Sequence, residues 1–170
     1  STLINALVGD ERVITGPQPG ITRDAISIRW EWNGLQLKII DTAGMRRKAR
    51  VSEKVERLSV GDTLEAIRFA HVAVLVLDAT MMPEKQDLVI ARHIIEEGRG
   101  IVIAVNKWDA VDNRNEALGL LYDRMESSLP QIRGVPVVQL SALTSQGIGK
   151  LLPEVIAVHE IWNKRASTGP

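Results

Sequence analysis

The sequence predicts an α/β fold built on a mostly parallel sheet, and three observations predict it. Val72–Leu77 (VAVLVL) and Ile101–Val105 (IVIAV) are short, unbroken apolar runs rich in β-branched residues, which suits strands covered on both faces. Patterns of helical period fill the stretches between such runs, and strand–helix alternation is the signature of βαβ units. Residues 26–40 change period altogether: Ile26, Ile28, Trp30 and Trp32 alternate with polar residues, Asn33-Gly34 follows, and Leu35, Leu37 and Ile39 resume the alternation. That is a hairpin with one apolar face, able to supply an antiparallel edge strand.

Taken in order, Ser1–Val8 reads as a helix body with Leu3, Ile4 and Leu7 on one face, ended by Gly9-Asp10. Ile14–Thr22 contains Gly16, Pro17, Pro19 and Gly20 and reads as loop. The hairpin Ile26–Ile40 ends at Asp41. Asn33-Gly34 is its turn because a type I′ turn needs positive φ at both central residues. Helical patterns follow near Val55–Ala70, Gln86–Glu97, Glu116–Ser128 and Ile148–Trp162, with Val135–Leu140 (VPVVQL) as a third, weaker strand. Asn163–Pro170 is polar and reads as a linker or tail.

Composition narrows the function. A chain of 170 residues with 45% hydrophobic content can bury a core without staples. It has no cysteine, which removes thiol catalysis, Cys-ligated zinc and iron–sulfur chemistry. Twenty-one basic residues balance 21 acidic ones, which argues against a whole-surface grip on nucleic acid but permits a local basic patch. The apolar runs are too short to span a bilayer, so no membrane partner is expected. His71, His93 and His159 lack metal-like spacing. Trp30 and Trp32 read as core, Trp108 as packing at a loop, Asp78 as a strand-end turn residue, and Glu84-Lys85-Gln86-Asp87 as a helix start.

In a sheet of this kind, ligands bind at the carboxyl ends of the strands. Four segments fall at such places: Thr22 before the hairpin, Asp41-Thr42-Ala43-Gly44 after it, Asn106-Lys107-Trp108-Asp109 after the IVIAV run, and Ser141-Ala142-Leu143 after VPVVQL. Each alone has a plainer reading as a turn or a helix cap. Four of them in this order, each at a strand end, point to one site.

This set resembles the P-loop GTPases of the translation-factor class. Within that class it is most similar to the second GTPase domain of the Der (EngA) family, tandem-GTPase ribosome-assembly factors. Ser1-Thr2-Leu3-Ile4-Asn5, Gly20-Ile21-Thr22-Arg23-Asp24-Ala25-Ile26 and Asp41-Thr42-Ala43-Gly44-Met45-Arg46-Arg47-Lys48 carry the closer likeness. Glu160-Ile161-Trp162-Asn163-Lys164-Arg165 resembles the exit toward that family's KH-like domain. The resemblance implies a P-loop NTPase-like three-layer sandwich and GTP or GDP as ligand. It divides the chain into a GTPase domain over residues 1–162 and a linker over 163–170. It also implies a first GTPase domain and a KH-like domain in the same parent chain, with action in the cytoplasm on the 50S subunit and its rRNA. The phosphate-cradling loop Gly-x-x-x-x-Gly-Lys and the strand before it are absent from residues 1–170 and are expected upstream of Ser1.

The implied roles follow physical logic. A guanine presents N1–H and N2–H₂ together, and the Asp109 carboxylate can accept both. Asn106 can donate to the O6/N7 edge and brace the loops, the stem of Lys107 can lie across the base, and the N–H groups near Ser141 and Ala142 can meet O6, with Leu143 beside them in the nucleotide site. By resemblance, Ser1 and Thr22 ligate Mg²⁺ and Asp41 holds a metal water. Thr22, Asp41 and Gly44 act at the γ-phosphate, and Thr2, Thr42 and Ala43 complete the nucleotide shell. Met45 stands where many relatives place a water-orienting glutamine, so intrinsic hydrolysis is expected to be slow, and the resemblance implies K⁺ as an activator. Arg46, Arg47, Lys48 and Arg50 form a basic cluster suited to rRNA or to a neighbouring domain. Two other readings share these residues: a tRNA-modification GTPase domain, which Arg46-Arg47-Lys48 disfavours, and a non-catalytic docking module for RNA or a partner domain.

Overall fold

A computed structural model describes residues 2–9, 13–14, 26–41, 63–81 and 83–167, giving only the backbone at 2, 13–14, 26–28 and 41. The chain divides into two compact units, Ser1–Ala66 and Ile67–Pro170.

The first unit opens with α1 (Thr2–Val8), on which Leu3 and Val8 are buried. Its sheet is antiparallel, in the order β1 (Val13–Ile14), β2 (Ile26–Trp32), β3 (Leu35–Asp41). The hairpin is the one the sequence predicts. Asn33 and Gly34 both take positive φ, 48° and 79°, and the register pairs Trp32 with Leu35 and Trp30 with Leu37. Alternation survives in the burial: Trp30 is buried and Trp32 half-buried, while Arg29 and Glu31 are exposed. Strand β1 was not expected. Two residues are too few to show a period of two, yet Val13 and Ile14 pair with Trp30 and Arg29 and extend the hairpin by a third strand.

Residues 63–69 form helix α2; the remainder of the helix expected from Val55 lies outside the described residues. The second unit holds a parallel sheet in the order β4 (Val72–Asp78), β5 (Gly100–Asn106), β6 (Val137–Gln139). Every residue of Ile101–Val105 is buried. Side chains alternate between faces along a strand, so both faces are covered, as the unbroken apolar run required. Helices α3 (Lys85–Glu96) and α5 (Leu151–Ser167) pack on β4 and β5, and α4 (Arg114–Ser128) packs on the 3₁₀ turn Pro130–Ile132. Ile94, Val102, Ile103, Leu129, Leu140 and Leu151 are almost wholly withdrawn from water. Each such side chain stabilises the fold by about 1.5–3 kcal/mol.

Two helix starts are capped, the first of them where the sequence places a helix start. At α3 the Glu84 N–H donates to Asp87 Oδ2 at 2.9 Å, and at α4 the Asn113 Oδ1 accepts from the Glu116 N–H at 3.1 Å. Helix α5 begins after a 3₁₀ turn over Ile148–Lys150 and continues to Ser167, so residues 163–167, read from the sequence as tail, are helical. Trp162 Nε1 donates to the Gly98 carbonyl at 2.6 Å, and Lys164 and Arg165 sit in the last turn, where positive charge suits the helix dipole. Strand β6 is shorter than VPVVQL suggested. The Val135 N–H turns back to Ile132 O at 3.0 Å, and Pro136 has no N–H to give.

Candidate functional site

The carboxyl ends of β4 and β5 finish in step, with Asp78 opposite Asn106. The Ala79 N–H reaches the Asn106 carbonyl at 2.9 Å and fastens one chain to the other beyond the last rung. Leu140 ties in the third strand: its N–H donates to Val105 O at 3.0 Å and its carbonyl accepts from the Trp108 N–H at 3.1 Å. Three chain exits therefore meet at one rim.

Asn106 is the keystone of that rim. Its side-chain Oδ1 accepts from the Lys107 N–H at 2.8 Å and from the Ala142 N–H at 2.9 Å. Two donors converging on one atom settle the orientation of the amide, and the NH₂ has no partner among the described residues. The bracing role expected for Asn106 is thus present in the structure. Lys107 adopts the left-handed conformation, φ +62°, which is uncommon for a residue with a Cβ. A 3₁₀ turn, Trp108–Ala110, begins immediately after it. Trp108 is 8% exposed and packs into the core, while Asp109 beside it is exposed. Among the described residues the Asp109 carboxylate has no hydrogen-bond or ion-pair partner.

Asp78 does more than turn the chain. Its Oδ1 accepts from the Thr80 N–H at 2.9 Å and from Thr80 Oγ1 at 2.5 Å, and its Oδ2 lies 2.7 Å from Lys107 Nζ. Burial pushes this carboxyl's pKa up, but the hydrogen bonds from Lys107 and Thr80, with the lysine's charge, outweigh burial and leave it below the ordinary value. The Thr80 bonds match the expected turn; the lysine partner, 29 residues away, has no local signal in the sequence.

The loop after β6 is held differently. Ser141 is fully buried, its N–H donates to Gln146 O at 2.8 Å, and its Oγ accepts from the Thr144 N–H at 3.1 Å. Gly147 closes the loop at φ +73°, and a Cβ there would stand 2.3 Å from the Gln139 carbonyl oxygen. The sequence reading offered the Ser141 and Ala142 N–H groups to a ligand. The structure commits both internally, to Gln146 O and to Asn106 Oδ1. Leu143, next to them and 82% exposed, has an N–H with no partner among the described residues.

A cavity of about 260 Å³ adjoins the rim, walled by Leu77, Val105, Trp108 and Leu121, with Asp78 and Asn113 among its polar groups. The structure therefore brings together Asn106, Lys107, Asp109, Ser141, Ala142 and Leu143. Ser1, Thr22, Thr42, Ala43, Gly44, Met45 and the Arg46-Arg47-Lys48 cluster lie outside the described residues, and only the backbone of Thr2 and Asp41 is described. Among the described residues no cluster of His, Asp and Glu could hold a metal ion, and no helix is long and apolar enough to cross a membrane.

Comparison with known proteins places this chain in a family. A family model described as a 50S ribosome-binding GTPase matches residues 1–107. The chain belongs to that family. Among other members, it is 57% identical over 169 residues to GTPase Der of Brucella melitensis, an alignment covering 99% of this chain and 35% of that protein. It is equally 57% identical over 168 residues to GTPase Der of Parvibaculum lavamentivorans, covering 99% of this chain and 36% of that one. The chain thus spans about a third of the length of these curated relatives, and the expected resemblance to a Der GTPase domain is borne out. Two solved structures share the fold. A probable GTP-binding protein engB is 24% identical with a TM-score of 0.65, covering 94% of this chain and 92% of that one. Aquifex aeolicus Era bound to GDP.AlF4⁻ is 23% identical with a TM-score of 0.69, covering 93% and 52%. The 50S ribosome-binding GTPase fold is α/β, as the alternation of strands and helices implied.

Proposed function

We propose that this chain is a GTP-binding and GTP-hydrolysing switch domain, the second GTPase domain of a Der-type protein, acting in assembly of the 50S subunit. One observation carries the nucleotide part. Asn106 Oδ1 clamps the Asn106-Lys107-Trp108-Asp109 segment to the Ser141-Ala142-Leu143 loop, and on these two joined segments the Asn106 NH₂, the Asp109 carboxylate and the Leu143 N–H have no partner among the described residues. These are two donors and a two-oxygen acceptor. Guanine offers the complement: acceptors at O6 and N7, and a paired donor edge at N1 and N2. Adenine lacks that donor pair, would leave Asp109 unpaired, and is rejected by about 10⁴–10⁵ in a site of this kind. The stem of Lys107 supplies an apolar surface for the base.

At the phosphate end the reading rests on resemblance. By that resemblance Ser1, Thr22 and Asp41 would hold Mg²⁺, which would neutralise phosphate charge, and Thr22, Asp41 and Gly44 would sense the γ-phosphate, so that the loops around Thr22 and Gly44 would switch when it leaves. K⁺ activation, a cytoplasmic location, contact with rRNA through Arg46-Arg47-Lys48, a first GTPase domain, and a KH-like domain reached through residues 163–170 belong to the same proposal. The family's description as 50S ribosome-binding supports the ribosomal part.

Titration of the full-length protein with labelled GDP, using ATP as competitor, tests the site. GDP binding that ATP does not displace is expected. Asp109→Asn is expected to abolish guanine preference and favour xanthine nucleotides, whose 2-oxo group accepts from the amide. A variant that keeps wild-type guanine preference would falsify the assignment.

A further inference from the structure

We propose that Asp78 is a positioning residue for the nucleotide site: its carboxylate holds the far end of Lys107, so that the lysine stem is set in place before a base arrives. The inference rests on the nucleotide reading above and adds to it a residue from a different strand, outside the four segments that carry that reading.

Lys107 is tied at both ends. Its backbone N–H is fixed on Asn106 Oδ1 at 2.8 Å and its Nζ on Asp78 Oδ2 at 2.7 Å, across the two paired strands. The carboxylate cannot swing away easily, because Thr80 holds its other oxygen with two donors. The lysine side chain is 60% exposed and the aspartate 27%, and an ion pair in such contact with water adds little to fold stability. Its effect is on geometry. A free lysine side chain samples many rotamers, and immobilising it is a cost of binding. Here that cost falls on folding. The pair also turns the ammonium toward β4, so the surface offered to an apolar ring is methylene.

Asp78→Asn separates this role from turn formation. The amide oxygen still accepts both Thr80 donors, whereas its NH₂ faces the ammonium donor to donor and the tether is lost. The experiment follows release of a fluorescent GDP from the full-length protein and reads the phase that Asp109→Asn removes, which isolates this site from any other. In that phase Asp78→Asn is expected to weaken GDP binding about three- to tenfold, mainly through faster release. Preference for guanine over hypoxanthine nucleotides, which Asp109 sets, stays unchanged. Lys107→Met, which keeps the stem and drops the charge, weakens binding by a similar factor. The double variant is no weaker than Lys107→Met alone, and Asp78→Glu recovers part of the loss. Additive losses in the double variant, or an Asp78→Asn variant that binds as wild type does, overturn the positioning role while leaving the nucleotide site intact. A wild-type protein with no guanine-selective phase overturns the function itself and the positioning role with it.

Discussion

Two loops meet at the rim, and they are held in different ways. The segment Lys107–Ala110 is fixed from outside itself, by one carboxamide oxygen, one ion pair, a buried indole and the Trp108 N–H on Leu140 O. The Ser141–Gly147 loop is fixed mostly from within, by a buried serine whose N–H meets Gln146 O and whose Oγ accepts from the Thr144 N–H, and by a glycine in a conformation and a space that admit no side chain. The first arrangement leaves polar atoms facing outward and can be retuned one residue at a time. The second is a rigid abutment whose failure affects the whole rim. A site that reads the edge of a planar ligand needs both.

The sharpest way to break the second loop is Gly147→Ala. The new Cβ meets a backbone oxygen at 2.3 Å and the left-handed conformation is itself unfavourable, so a loss of about 2–4 kcal/mol is expected in urea denaturation. Asn106→Ala breaks the link between the loops. It strips the acceptor from two N–H groups and should cost about 2–3 kcal/mol. Asn106→Asp sharpens the comparison: it keeps an oxygen for both donors but loses the NH₂, so stability is expected to hold while guanine affinity falls. Ser141→Ala removes one buried acceptor and should cost about 1 kcal/mol by the same denaturation assay. The smallest effect is titration of Asp78. Its folded pKa lies below the unfolded value, so its contribution is present above the ordinary carboxylate range and is lost as pH falls through the lowered value. Acid denaturation curves of wild type and Asp78→Asn should therefore converge below about pH 4.

Much of this could be read from sequence where the signal was local. The Asn33-Gly34 turn, the IVIAV and VAVLVL strands and the helix start at Glu84 each depend on neighbours within a few residues. So does the use of Asn106 as a brace, once the segment is placed at a strand end. What escaped depends on distance or on committed backbone. The Asp78–Lys107 pair spans 29 residues, the left-handed Lys107 has no glycine to announce it, and the internal use of the Ser141 and Ala142 N–H groups appears only when the loop is closed. Strand β1 was hidden because two residues carry no periodicity.

The level finish of Asp78 beside Asn106 makes the hydrogen-bond ladder a vernier. Sliding one strand past its neighbour by a single residue would turn the interior outward. Sliding it by two would keep every face correct and still carry the carboxylate about 6.6 Å along the axis, away from the ammonium it holds. Grafting β4 from another member of the family will therefore preserve the grip on Lys107 only when the graft matches in residue count as well as in polarity, and a mismatched chimaera should fold and yet hold its ligand loosely.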